Sequence, residues 1–514
     1  MKTNITRRFL ALLTLMCFVP VIAWADIDRS KGKEQDEELL RTPSGVYDNQ
    51  LNKVSRISFY NSNYGIFGYN IAQGVGGGIW PRGTTNQYIF AGGIWLATQK
   101  RLTPDDSLRK LCLISYNPNS GRSWMVPGRI SDGDNVQNSQ ILKYRVYFST
   151  DFNPVTGVPI NAQDGPNWPL WDTKDTEVLK ERRYFGYYIQ NENNRKTEDF
   201  PKGPAFISQE DIFTTYKDTD LSRYEGGATL RRREGYPLRV QTEQTIYSWG
   251  FGDFKDFIFI KYNMINTSTD TLYNSWIAPV FDVDIALTSN SQIGARNDNA
   301  RFVTEKPDFN LAVQWSLGTS GEQGRGFGYL GFDFLESPAV YPYVKTVVIG
   351  KKAPPRQDED SVAQILIGAS KDSIGRIRKD KRVFSNSEQL GLRTFKNWPI
   401  ENDPLTNENR YDFIGKGEKD GQGEVGDKRF MMASGPFTME PGDTARTVVG
   451  LVLAKTSKGG DADGTIEDLR DLIRIDSFAQ TVYDNNFKAP KPPDPANIRS
   501  EERRVGKECR SRWS

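Results

Sequence analysis

The stretch DFIFIKYNMINTSTDTLYNSWIAPV, Asp256 to Val280, constrains the fold more than any other. β-Branched and aromatic residues fill its two arms, and the polar turn TSTD (Thr267 to Asp270) joins them. Such side chains pack well on a pleated surface and lose rotamer freedom in a helix. The stretch therefore reads as two strands. Similar runs bounded by turn residues recur along the chain: QYIFAGGIWLAT (Gln87 to Thr98), KYRVYFST (Lys143 to Thr150), PLRVQTEQTIYSW (Pro237 to Trp249) and FNLAVQWSL (Phe309 to Leu317). GYLGFDFLE (Gly328 to Glu336), YVKTVVIG (Tyr343 to Gly350), FMMASGPFTM (Phe430 to Met439) and RTVVGLVLAK (Arg446 to Lys455) continue the series, the last two flanking the turn EPGD. In the first of these Ile94 and Leu96 share one face, and Trp95 and Ala97 the other. With 46 glycines and 27 prolines as turn formers, the fold class expected is mainly β, an antiparallel β-sandwich-like architecture.

One helix is expected near the C-terminal end of this region. In residues 465–487, Ile466, Leu469, Leu472, Ile473, Ala479, Val482 and Tyr483 recur at three- and four-residue spacing. Thr465 with Asp468 supplies a start resembling a capping box. The organisation expected is a large antiparallel β domain over 46–350 and its continuation over 351–487. A break at KKAPPRQDEDS (Lys351 to Ser361) separates them, and a helix is expected near SVAQILIGAS. A stiff proline-rich linker, 488–498, follows.

The N-terminal residues 1–25 read as a signal peptide. Lys2, Arg7 and Arg8 precede the apolar run FLALLTLMCFV, and AWA (Ala23 to Ala25) gives a small-x-small cleavage site before Asp26. That run is too short to span a bilayer, and no later stretch reaches spanning length. Residues 26–45, charged and without aromatics, read as a flexible mature N-terminus. Export and a secreted or cell-surface location are expected. Of three cysteines, Cys17 leaves with the signal, Cys509 lies in the tail, and Cys112 in LCLISY reads as a small buried hydrophobe. The formal charge of +2 falls to −4 once the signal's three positive charges and the tail's net three are removed. The basic clusters LRRREG (Leu230 to Gly235) and GRIRKDKR (Gly375 to Arg382) are short, read as solvated loops, and give no nucleic-acid footprint.

The chain has no histidine. That excludes Ser-His-Asp and Cys-His catalysis, and HExxH zinc sites with them. Chemistry would fall to carboxylates, lysine, tyrosine or an oxygen-ligated metal. GVGGGIWPRG (Gly74 to Gly83) lacks the third glycine of a dinucleotide loop and any GK[ST], and reads as tight turns beside a packed Trp80. VFDVDIALTSNSQIGARNDN (Val280 to Asn299) is the best site candidate. Asp282 and Asp284, two apart in an extended segment, point the same way, and Asp298 returns after a polar loop. These three are candidate calcium ligands, calcium being the one cofactor the sequence suggests. Acids beside aromatics, as in SWGFGDFKDF (Ser248 to Phe257), keep open a carboxylate-dependent glycosidase or carbohydrate-binding reading.

GGIWPRGTTNQYIFAGGIWLATQK, the paired strands around DFIFIKYNMINTSTD, and above all GDKRFMMASGPFTMEPGDTARTVVGLVLA together resemble a group of large secreted proteins of bacteria that use type IX secretion. This chain has DVDIA where that group has a DPDIG-like segment, which weakens a metal role carried over to Asp282 and Asp284. The resemblance implies a fibronectin type III domain after the linker and a C-terminal sorting domain read by the type IX machinery. It implies a location and an architecture but no reaction. A non-catalytic binding or structural protein, adhesion-like, with an extracellular polysaccharide or surface protein as partner, is the reading it favours. The final RSEERRVGKECRSRWS (499–514) has no strand pattern and resembles a translated sequencing adapter. The expectation is therefore that the natural C-terminal domains are missing from this sequence.

Overall fold

The computed structural model describes residues 47–134, 144–151, 207–290, 295–317, 321, 326–338, 389–485, 487 and 489. The signal, residues 26–45, YVKTVVIG, the break at 351–361, the helix expected near SVAQILIGAS, GRIRKDKR, the linker apart from Ala489, and the tail lie outside the described residues.

Among the described residues, fourteen strands form two principal sheets and are numbered along the chain. They are β1 (Ala91–Lys100), β2 (Arg109–Ile114), β3 (Val126–Pro127), β4 (Tyr147–Phe148), β5 (Glu210–Lys217), β6 (Val240–Ser248) and β7 (Phe257–Asn266). The series continues with β8 (Leu272–Val283), β9 (Asp298–Phe302), β10 (Leu311–Ser316), β11 (Tyr329–Glu336), β12 (Thr394–Pro399), β13 (Lys428–Met439) and β14 (Thr444–Ala454). The nine-stranded sheet runs β4-β5-β6-β7-β14-β11-β10-β9, with β3 also paired to β5, and the five-stranded sheet runs β12-β13-β8-β1-β2. Every pairing in both is antiparallel. The chain is mainly β, as its alternation indicates.

The two arms that open the sequence argument do not pair with each other. β7 lies in the nine-stranded sheet and β8 in the five-stranded one, so TSTD is a corner between layers. EPGD does the same for β13 and β14. The two corners meet at Asn266, which is fully buried. Its side-chain amide donates to the Asp270 carbonyl at 2.8 Å and the Met439 carbonyl at 3.0 Å, and its oxygen accepts from the Ser268 hydroxyl at 2.7 Å.

The nine-stranded sheet is covered on both faces. Ile258 and Ile260 of β7, Leu330 and Phe332 of β11, and Leu451 and Leu453 of β14 face the five-stranded sheet. There Phe332 packs on Phe281 with ring centroids 4.1 Å apart and on Phe430 at 4.6 Å. The alternate residues Phe257, Phe259, Leu335, Val448 and Val452 face a helix, Arg470–Asp484. Burial on both faces explains why these strands read as nearly continuous apolar runs. Cys112 of β2 is a free thiol in the inter-sheet core, and burial pushes its pKa up to about 12.

Two short helices were not foreseen. The first, α1 (Ala228–Glu234), is the LRRREG cluster expected as a solvated loop. Gly235, at φ +121°, ends it, donating to the Arg231 and Arg232 carbonyls, and Arg231 lies over Trp124 at 5.2 Å while pairing with Glu234. The second, α2 (Asn407–Ile414), is capped by the Thr406 side chain and packs on β2. The C-terminal helix, α3 (Arg470–Asp484), starts later than expected, because Thr465 and Asp468 do not form a capping box. Thr465 bonds Asp463, and Asp468 turns inward to accept from the Tyr329 hydroxyl at 2.6 Å. Among the described residues no helix is long and apolar enough to cross a membrane.

The glycine run GVGGGIWPRG is packed as expected. A side chain on Gly77 would meet the Tyr60 ring at 2.5 Å and the Gly68 carbonyl at 2.7 Å. Trp80 is buried, edge-on to Tyr88, and donates to Asp256 at 2.8 Å.

Candidate metal centre

The C-terminal end of β8 carries the candidate acids into the interior. Asp282 pairs in register with Arg429 of β13 on one side and Ala91 of β1 on the other, and Val283 pairs with Lys428. Asp284 follows two residues on. The register also delivers Asp427, the residue just before β13, to the same place. Carboxylate oxygens of Asp282, Asp284 and Asp427 lie within 4.8 Å of one another. Asp298, at the start of edge strand β9, accepts from the Ile285 N–H at 2.9 Å and from the Gln314 amide at 3.2 Å. Its own carbonyl accepts from Gly426 N–H at 2.9 Å, tying β9 to the loop that holds Asp427. The structure thus brings Asp282 and Asp284 together with Asp427, while Asp298 stands outside that group, near Asp284.

A guanidinium borders this cluster at Asp282. Arg429 is fully buried, with Nε 3.5 Å from Asp282 and Nη1 2.8 Å from Asp403. It also donates to the Pro118 carbonyl at 3.3 Å. Tyr116 donates its hydroxyl to Asp282 at 2.8 Å, and Trp398 its indole N–H to Asp403 at 2.8 Å. Burial alone would lower the Arg429 pKa; the Asp282 and Asp403 carboxylates outweigh that and hold it charged.

The electrostatics follow from counting charges in a dry place. Asp282, Asp403 and Asp427 act on the one arginine, Asp284 stands near Asp298, and buried carboxylates ionise together only when compensated. Protons supply part of the compensation. Burial pushes the Asp298 carboxyl well above its usual range, the Ile285 N–H opposes this, and the nearby Asp284 reinforces it. Burial raises Asp403 as well, against the pull of Arg429. The carboxylates close enough together to offer oxygens to a hard cation are Asp282, Asp284 and Asp427, and Asp282 also faces Arg429. Calcium fits them by donor type, but a guanidinium beside Asp282 opposes a second cation there.

The acids near aromatics are engaged elsewhere. Asp256 is buried and forked by Arg56 at 2.5 and 2.6 Å. Asp253 is on the surface, 2.5 Å from Arg474.

The residues missed from the sequence are Asp427, Arg429, Asp403 and Tyr116. Asp427 and Arg429 stand in VGDKRF at the edge of a glycine-rich charged loop, where charge ordinarily means solvent. Only the β8–β13 register reveals their neighbours. A scan against protein-family models finds no match to this chain, and a search of curated proteins finds none either.

Proposed function

We propose that this chain is an exported, non-catalytic component of the bacterial cell surface or its surroundings, carried out by type IX secretion. It acts by binding or as a structural, adhesion-like element toward an extracellular polysaccharide or surface protein. The observation that carries the non-catalytic part is the state of the carboxylates. Without histidine, an enzyme of this kind would depend on acids, yet Asp282, Asp284 and Asp298 are fully buried. A sugar chain cannot reach a carboxylate enclosed on every side. Asp256 and Asp253, beside the aromatic rings, are held by Arg56 and Arg474. The signal-like N-terminus and the resemblance of the β13–β14 region to type IX cargo support export.

The test is incubation of the purified full chain with extracellular polysaccharides, following both co-sedimentation and new reducing ends. Retention on a polysaccharide without reducing ends is expected. Release of reducing ends above a heat-inactivated control would establish the alternative, a carboxylate-dependent glycosidase.

A further inference from the structure

The face of α3 that packs on the nine-stranded sheet carries an acid, and so does the sheet beneath it. Along β11, Gly331 and Asp333 share the helix-facing side. A side chain on Gly331 would stand 3.1 Å from Leu472, so the helix passes close there. One turn on from Leu472 is Asp476, and two residues on from Gly331 is Asp333. At the far end the Tyr483 hydroxyl donates to Glu336 at 2.5 Å. Strand and helix therefore run alongside each other, with Asp476 set over Asp333. Both are almost completely buried, at 0% and 1% exposure. Neither Asp476 oxygen has a hydrogen-bond partner, nor does Oδ2 of Asp333, and among the described residues no cation pairs with either.

The surrounding charges do not relieve them. On β11, Glu336 is taken by Arg446 of β14 and by Tyr483. Lys261 of β7, in register with the helix-facing Val448, is half-buried on the same face. The turn before β7 offers Asp253, paired with Arg474 of the helix, and the helix end adds Asp484, whose charge disfavours ionisation of Asp333.

We propose that Asp333 and Asp476 form a proton-held latch: a carboxyl pair that shares protons when α3 is docked and forces the helix off the sheet when both ionise. Two facing carboxylates, with only the Asn310 backbone N–H on Asp333 to help them, cannot both be charged in an apolar core. A proton between them supplies the donor that the orphaned oxygens lack. Burial raises both groups, Asp333 to about 7 and Asp476 well above its usual range, and the Asp333 charge adds to the rise at Asp476. Since both folded values lie above the unfolded ones, the latch contributes stability fully in acid. That contribution is lost as pH rises through neutrality. Rising pH thus loosens the last described helix, the one from which the chain passes into KAPKPPDPANI.

The experiment compares hydrogen exchange of the 470–484 segment in the full chain at pH 5.5 and pH 8, corrected for intrinsic exchange, in wild type and in Asp476→Asn. An amide keeps the volume and can donate to Asp333 without a titrating proton. Wild-type protection should fall by at least about tenfold from pH 5.5 to pH 8, the size of a one-unit pKa displacement. The variant should hold its protection, and Asp333→Asn should behave likewise. Equal loss of protection in wild type and both variants would overturn the latch. So would restoration of wild-type protection at pH 8 by millimolar calcium, which would make the pair a cation site instead.

Discussion

Arg429 shows how one side chain can hold a buried acidic centre together. It is fully enclosed and lies against both Asp282 and Asp403. Removing one partner of such a pair leaves uncompensated charge in a low dielectric, which costs more than the pair itself contributes. Arg429→Met should therefore destabilise the fold by about 3–5 kcal/mol, read as a lower urea midpoint with an unchanged m-value. A loss under 1 kcal/mol would overturn the view that Arg429 compensates buried charge. The acids themselves were legible as a pair, because Asp282 and Asp284 stand two apart in an extended segment. Their counter-ion was not, because an arginine at a strand's first residues looks the same whether it faces water or a carboxylate.

At the scale of elements, strand positions followed from residue type but strand partners did not. β6, β7, β10, β11 and β14 lie where alternation and β-branching place them. TSTD and EPGD, however, have the composition of hairpin turns and act as corners between sheets. Nothing in four polar residues distinguishes the two; the difference lies in which faces the following strand must bury. LRRREG was misread for a related reason, since a helix of seven residues held by Arg231 against Trp124 leaves little periodicity to detect. The corners stand on Asn266. Asn266→Ala would strip donors from the Asp270 and Met439 carbonyls and an acceptor from Ser268. A loss of about 3 kcal/mol is expected from these buried groups, measured by chemical denaturation. The aspartate variant, which cannot donate, should recover little of it.

For the molecule as a whole, where burial shifts the pKa of an interior carboxyl among the described residues, it shifts it upward. It raises Asp218 and Asp443 to about 6 and Asp333 to about 7, and raises Asp298, Asp403, Asp476 and Glu210 as well. The opposite shifts, at Glu305 and Asp463, are on nearly exposed groups where solvent screens them. The native state therefore binds more protons than the unfolded chain between about pH 4 and pH 7. Stability is fully present below that window and falls as pH rises through it. A drop of about 3 kcal/mol between pH 5 and pH 8 is expected in urea titrations. With no histidine in the chain, that slope belongs to carboxyls, and a flat profile would show that the interior acids are ionised throughout.

The paired corners also decide the order in which the chain can assemble. At the centre of each sheet, a strand from the middle of the sequence pairs with one from its final quarter: β7 with β14, and β8 with β13. Long loops must close before these contacts form, so entropy is lost early and recovered late. Until residues 428–454 arrive, β7 and β8 each present an open edge able to pair with another molecule. Refolding should be slow and should compete with aggregation as concentration rises, and a chain halted before Lys428 holds the parts of a sandwich without its closure.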